Sequence, residues 1–400
     1  MIRPVLVVLC ALAASAAVAV LFVLWFAGGP RPAEDARPTG TPPASSEAKP
    51  LDSGKPAAPA PLTDLDAIDA TLPAGFKAIV YVDEVDHPTS LAVAPNGTVF
   101  LGARAPGGGG AVYRFGDADG NGRLDDPTVF AQGLADVTGV LVRGGTLYVA
   151  SRGAVSAFRD TSGDGVADER KDIVKNLPVP QEPLTFSNNG LALGPDGRLY
   201  FGMGATCNAC VEENPWSATV LRCAPKGGRC DVFASGLRDV YDVAFNPVDG
   251  TLFAADIGAL GIGGGTLEVQ DEVNAIVKGA DYGWPFCWGI GKGFDCVGTV
   301  PAVAELPPGS TPAGLAFYTG DAFPVAYRNN LFVALSGDMG RRVVRVVLTK
   351  ADAGSFRAQV LPFALMNRPV DVVTAPDGSL LVADTGAGRV YRISYAPETS

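Results

Sequence analysis

Two segments of the chain space oxygen-bearing side chains as a calcium loop does. Asp117, Asp119, Asn121 and Asp125 fall at alternate or near-alternate positions with Gly122 sixth, and Asp160, Ser162, Asp164 and Asp168 repeat the pattern 43 residues on with Gly165 sixth. Alternate side chains can converge on a hard cation, and the glycine admits the sharp bend. Neither segment has a Glu at position twelve. Asp, Asn and Gly in this order also build plain polar turns, so both readings stay open. His87, the one histidine, precedes Pro88. An imidazole titrates near neutral pH and suits a general base, but a loop position also suits a merely solvated side chain. A multi-histidine metal site is excluded by the count, and no nucleophile-elbow motif supports a serine triad. Six of the seven cysteines are Cys207, Cys210, Cys223, Cys230, Cys287 and Cys296. An even set in an exported chain reads as disulfides, with local pairing 207–210, 223–230 and 287–296 the simplest arrangement. Cys207-Asn-Ala-Cys210 also has the spacing of a redox pair or half a zinc site, although no second such pair follows.

These residues need elements to position them, and the elements repeat. Asn188 to Gly204 reads as a short apolar strand, a Pro-Asp-Gly turn and a second strand. Related copies start at Ser90, Gly139, Asp242, Gly314 and Asp371, and the first apolar positions (Leu91, Val140, Leu191, Val243, Leu315, Val372) are spaced 49, 51, 52, 72 and 57 residues apart. A unit of that length with four short strands is a β-propeller blade, and no helical period competes with it. An all-β, six-bladed β-propeller over 63–400 is predicted. The sixth blade lacks an outermost strand after Arg389 to Ser394, and Phe76 to Val82 can supply it, which removes an open edge.

In such a fold the loops before each first strand and after each second strand gather at one mouth of the central channel. Those loops bring Arg104, Arg152, Arg238, Arg341, Arg342, Arg368 and Arg389 to a protein of net charge −11. Guanidinium forks suit carboxylates, so a ligand with several carboxylates is implied; arginines paired locally with Asp are the plainer reading. The acidic balance argues against nucleic acid or an anionic membrane surface as partner.

Pro4 to Phe26 carries no charge and is long enough to span a bilayer, with Arg3 biasing Met1 to the inside. A membrane anchor over 1–27 is expected, with a cleaved signal peptide as the alternative. Residues 28–62 are rich in Pro, Ala and Ser and read as a disordered tether. The propeller is then expected on the periplasmic or extracellular side.

The strings GPDGRLYFGMGATCNACVEE, ASGLRDVYDVAFNPVDGTLFAADIG, KGADYGWPFCWG and RPVDVVTAPDGSLLVADTGAGRVYRI resemble the glucose/sorbosone dehydrogenase family of soluble quinoproteins, over roughly Phe76 to Ile393. The resemblance implies a six-bladed propeller that binds pyrroloquinoline quinone (PQQ), with calcium beside it, and oxidises a sugar or polyol with a histidine as base. Carried across, Arg238 falls on the cofactor arginine of the GLRN motif, with Asp239 in place of its Asn, and Arg341 or Arg342 falls near a second arginine; Arg368 joins them at the mouth. The family's histidine falls at Phe186 or Ser187, so the resemblance leaves His87 and Asp239 as the alternative bases. A quinone-dependent dehydrogenase is the leading expectation, with the electron acceptor unspecified. A non-catalytic propeller that binds a glycan or protein is the second reading. A calcium-dependent hydrolase using Asn188, Asn189 and Asp242 or Asp371 is the third.

Overall fold

The computed structural model describes residues 62–64, 71–104, 109–116, 124–180, 187–259, 261, 269–351 and 355–396. Six antiparallel sheets carry the blades. Blade 1 runs Pro88–Val93, Val99–Arg104, Gly109–Phe115 and Thr128–Ala135 from inside out. Blades 2 to 4 repeat it, with inner strands Val137–Arg143, Asn188–Leu193 and Val240–Phe245. The inner strands of blades 5 and 6 are Pro312–Phe317 and Pro369–Thr374. Six blades stand where the sequence repeats, as expected.

Each blade begins as a hairpin because its sequence alternates apolar residues around a turn that demands a positive φ. In blade 3 Gly197 takes φ +73° and its amide closes the turn on the Gly194 carbonyl at 2.9 Å. The sheet faces then pack blade against blade, so the core is a ring of apolar wedges and not one central mass. Phe201, Phe253, Phe332 and Phe363, each at most 1 % exposed, fill these wedges.

Closure also follows the expectation. Phe76–Val82 pairs with Arg389–Tyr395 as the outermost strand of blade 6, with Phe76 opposite Tyr395 and Ile79 opposite Arg392. Blade 5 is extended differently, by Thr71–Pro73 and then Leu62–Asp64 on its outer edge. The expected anchor and most of the expected tether lie outside the described residues. Among the described residues no helix is long and apolar enough to cross a membrane, and Val325–Tyr327 is a single 3-10 turn.

The closing strand is locked by Phe76, 2 % exposed, whose ring lies 4.8 Å from Phe323, 5.2 Å from Phe363 and 5.0 Å from Tyr395. Phe76→Ala leaves a cavity in the seam between blades 5 and 6 and is expected to cost about 3–5 kcal/mol. Urea denaturation checks this; a midpoint within error of the parent would show that the seam does not hold the ring closed.

Candidate active site at the mouth of the channel

The inner strands share one register device. Pro88 pairs with Ala103, Val137 with Ser151, Asn188 with Met203, Val240 with Asp256, Pro312 with Leu335 and Pro369 with Asp384, each followed by a break in register. The residues just before these pairs therefore occupy equivalent places around the mouth: His87, Asp136, Ser187, Asp239, Thr311 and Arg368. Bulges of this kind re-aim side chains and backbone. Two members of the ring, His87 and Thr311, sit at φ +46° and +51°, a conformation non-glycine residues seldom adopt.

Buried carboxylates hold the ring in place. Asp256, at the end of the second strand of blade 4, accepts from the amides of Arg238 at 3.0 Å and Asp239 at 2.6 Å. Asp384 does the same in blade 6 for Asn367 and Arg368, each at 2.9 Å. Asp239 and Arg368 are thus structural counterparts of opposite charge. Asp271 adds a third clamp, accepting from Gly258 at 2.7 Å, Thr311 at 2.7 Å and the Ser310 hydroxyl at 2.9 Å. The sequence reading did not single out Asp256, Asp271 or Asp384; the repeated FAADIG and LVADTG strings carry the signal for the first and last.

The cation and acid candidates separate by burial. Asp239 is buried, burial pushes its carboxyl up to about 7, the Arg238 charge works against that shift, and Asn189 Nδ2 lies 3.4 Å from its Oδ1. Arg238 is itself 5 % exposed. Its Nε and Nη2 donate to the carbonyl and side-chain oxygens of Asn208 at 3.1 and 2.8 Å, and its Nη1 to the carbonyls of Ile257 and Gly258 at 3.0 and 3.1 Å. Arg368 and Arg341 are exposed and share Asp338, at 2.9 and 3.7 Å, which leaves a surplus positive charge. Arg342 donates through Nε to the Gly340 carbonyl at 2.7 Å. His87 is exposed and its ring contacts only its neighbour Asp86 among the bonds described. Of the two positions at which the family's histidine falls by resemblance, Phe186 lies outside the described residues, and Ser187 is buried and hydrogen-bonded to Asn188 at 3.2 Å.

Two further carboxylates, Asp242 and Asp371, line the channel. Asp242 accepts from the amides of Val243 at 2.8 Å and Leu315 at 3.0 Å, with Leu191 also donating; Asp371 accepts from Leu91 at 2.5 Å and Val372 at 2.7 Å. They fit because their ring neighbours are glycines: a Cβ on Gly190 would lie 2.2 Å from Asp242, and one on Gly314 2.0 Å from Asp371. Burial raises both carboxyls, and the Asp242 charge raises Asp371 further. The two carboxylates share a cavity of about 350 Å³ with Val93, Val142, Leu193, Phe245, Phe317 and Thr374 among others.

The second loop of calcium spacing follows Ala154–Arg159, at the end of that strand away from this mouth. Asp117, Asp119 and Asn121 fall outside the described residues. In the second loop the carboxylates serve amides: Asp160 takes those of Gly163 and Gly165 at 2.6 and 2.9 Å, and Asp164 that of Val166 at 2.9 Å. Asp168 takes Thr161 and Ser162 at 2.7 and 2.9 Å, which holds it below the usual carboxylate range, and Ser162 Oγ lies 3.5 Å from Asp160. This is the geometry of a polar turn. Asp125 donates its amide to Gly116 at 2.7 Å. All three local disulfides form as expected, 207–210, 223–230 and 287–296.

Fold and mouth together define a six-bladed propeller with a polar, arginine-edged site at the mouth of its central channel. A family profile for glucose/sorbosone dehydrogenases matches residues 85–392, and the chain belongs to that family. It is 30% identical over 179 residues to the aldose sugar dehydrogenase YliI of Escherichia coli, covering 42% of this chain and 45% of that one. It is 28% identical over 222 residues to an uncharacterised protein of Borreliella burgdorferi, covering 50% of this chain and 58% of that one. The matched stretches thus span about half the length of these curated relatives. Among solved structures, the PQQ-bound aldose sugar dehydrogenase of Streptomyces coelicolor superposes with a TM-score of 0.60 at 22% identity, covering 81% of this chain and 99% of that one. The soluble aldose sugar dehydrogenase of Escherichia coli gives 0.62 at 20% identity, covering 80% and 99%. Both share the fold.

The buried acids set a pH dependence. Asp239 titrates near 3.8 when unfolded and about 7 when folded, so its contribution to stability is complete below pH 3.8 and lost as pH rises through 7. Burial moves Asp242, Asp256, Asp371 and Glu272 in the same direction. Urea stability is therefore expected to fall between pH 5 and pH 8, and Asp239→Asn to flatten that slope. A slope that is unchanged in the variant would remove Asp239 from the set of neutral-pH acids.

Proposed function

We propose that the protein is a PQQ-dependent dehydrogenase that oxidises a hydroxyl of an aldose sugar or related polyol at the channel mouth. The observation that carries this reading is Asp239, a buried carboxyl held near neutral pKa beside the strand where the family's base falls by resemblance. Such a group is matched to taking a proton at neutral pH. Bound quinone would supply the two-electron acceptor.

The residues present fit that group by the chemistry of the donor set. PQQ carries three carboxylates; Arg368 and Arg341 crowd one aspartate with charge to spare, and Arg342 stands next to them. Arg238 contributes its charge from beneath, and that charge keeps Asp239 from rising further. A substrate hydroxyl would give its proton to Asp239 Oδ, while the Asn189 amide holds the carboxylate in place. His87, exposed on the same ring, is the second proton acceptor. Calcium beside the quinone would draw on mouth oxygens, and the outer loops with Asp125, Asp160, Ser162, Asp164 and Asp168 would hold calcium in a structural role. An exported location is supported by the three disulfides, and a membrane anchor at the N-terminus remains part of this proposal.

Calorimetric titration of the protein with PQQ, with and without calcium, tests the reading, followed by dye-coupled turnover on aldoses. Arg368→Ala is expected to weaken quinone binding about 10–100-fold, the worth of one charge-assisted bond. Asp239→Asn is expected to keep quinone affinity and lose about 10²–10⁴-fold in turnover. No quinone binding at high concentration in calcium would leave a glycan-binding scaffold on an inherited fold.

A further inference from the structure

The Cys207–Cys210 disulfide encloses the residue that holds Arg238. Asn208 sits between the two cysteines and accepts from Arg238 twice, through its carbonyl at 3.1 Å and its Oδ1 at 2.8 Å. The other edge of the guanidinium rests on Ile257 and Gly258, at the end of blade 4's second strand. The backbone adds a further tie, since the Ala205 amide donates to the Arg238 carbonyl at 2.7 Å. One wall of the arginine's seat is thus strand-anchored, and the other is a loop.

That loop has no strand or helix of its own. Around Asn208 it is held by the disulfide and by Glu212, whose carboxylate accepts from the Thr206 amide at 2.8 Å and hydroxyl at 2.5 Å; the Ala218 amide closes the loop's base on the Gly204 carbonyl at 3.3 Å. Among the three disulfides this is the one in which neither cysteine is buried, whereas Cys223, Cys230 and Cys287 are. Both of its sulfurs are thus open to a small thiol, since exchange requires access to sulfur, whereas Cys223–Cys230 offers neither and Cys287–Cys296 only Cys296.

We propose that Cys207–Cys210 is a redox-sensitive clamp in which Asn208 is the positioning residue that fixes Arg238 beneath the mouth. The reductant is an external dithiol. One of its thiolates attacks a clamp sulfur, forming a mixed disulfide and releasing the other clamp cysteine as a thiolate; its second thiolate then attacks the reductant sulfur of that mixed disulfide and expels the remaining clamp cysteine, so the reductant departs as a cyclic disulfide. The clamp gains two electrons and two protons and becomes two thiols. Opening the ring restores backbone freedom to Asn208, so both of its bonds to Arg238 are lost together. Any effect on catalysis rests on the quinone-dependent reading above; the clamp itself does not.

Arginine-specific labelling with phenylglyoxal reads the position of Arg238 without any cofactor. The protein is treated with limiting dithiol under native conditions, free thiols are alkylated, and both labels are mapped by mass spectrometry. Arg238 is expected to label about tenfold faster once Cys207 and Cys210 carry the alkyl group, as loss of two hydrogen bonds implies. Asn208→Ala in the oxidised protein removes the Oδ1 acceptor and keeps the backbone carbonyl, so an intermediate rate is expected, and Asn208→Asp, which keeps both acceptors, is expected to stay protected. Should Asn208→Ala fail to fold, the reduced parent protein carries the test. An Arg238 rate that is unchanged after Cys207 and Cys210 are alkylated overturns the proposal. PQQ affinity on the same samples reports on the dehydrogenase reading separately: faster labelling in a protein that never binds quinone upholds the clamp and overturns only that reading.

Discussion

The structure depends on buried carboxylates that accept backbone amides where six sheets converge. A bulged inner strand turns N–H groups out of the ladder and toward the channel or the mouth, and a buried amide without a partner is costly. Asp242 and Asp371 accept those at the channel, and Asp256, Asp271 and Asp384 those at the mouth. Desolvation raises the carboxyls of Asp242, Asp256, Asp271 and Asp371, which favours their protonated forms. One device therefore both closes the ring of blades and creates groups that exchange protons near neutral pH.

Blade 4 concentrates this chemistry. Asp256 and Glu272 face each other across neighbouring strands, and Arg238, Asp239 and Asp271 lie at the ends of the same sheet. Trp284 stacks its ring over Arg238 at 5.7 Å and belongs to a long connection pinned by Cys287–Cys296. The stretch that makes the fourth repeat interval longest is also the one that covers the buried charge. Burying an arginine among several acids is favourable only when the charges are hydrogen-bonded as these are.

Much of the architecture was legible because repetition multiplies a weak signal. One turn-bounded hairpin says little, but six related hairpins at blade spacing specify the fold, and the missing strand at the end pointed to Phe76–Val82. Local disulfide pairing was legible because each pair closes a short loop. The site was legible in part: the loops that hold Arg238, Arg368 and Asp239 were placed at one mouth from strand order. Which of them is buried was not. Arg238 and Arg368 have the same side chain and lie in equivalent loops, yet one is enclosed by Asn208 and Trp284 and the other is exposed.

The sequence by itself determined the blade count, the closing strand, the disulfides and the residues that rim the mouth, since these depend on turn chemistry, alternation and spacing along the chain. Tertiary structure alone decided the electrostatics. Asp242 and Asp371 lie far apart in sequence and become coupled only when the ring closes, and Gly190 and Gly314 matter only because those carboxylates press against them. Asp239 likewise becomes a neutral-pH acid through burial, and Asn208 becomes its arginine's partner through a loop folded back across 30 residues. Burial and through-space charge are properties of the packed chain, and no local pattern of residues encodes their size.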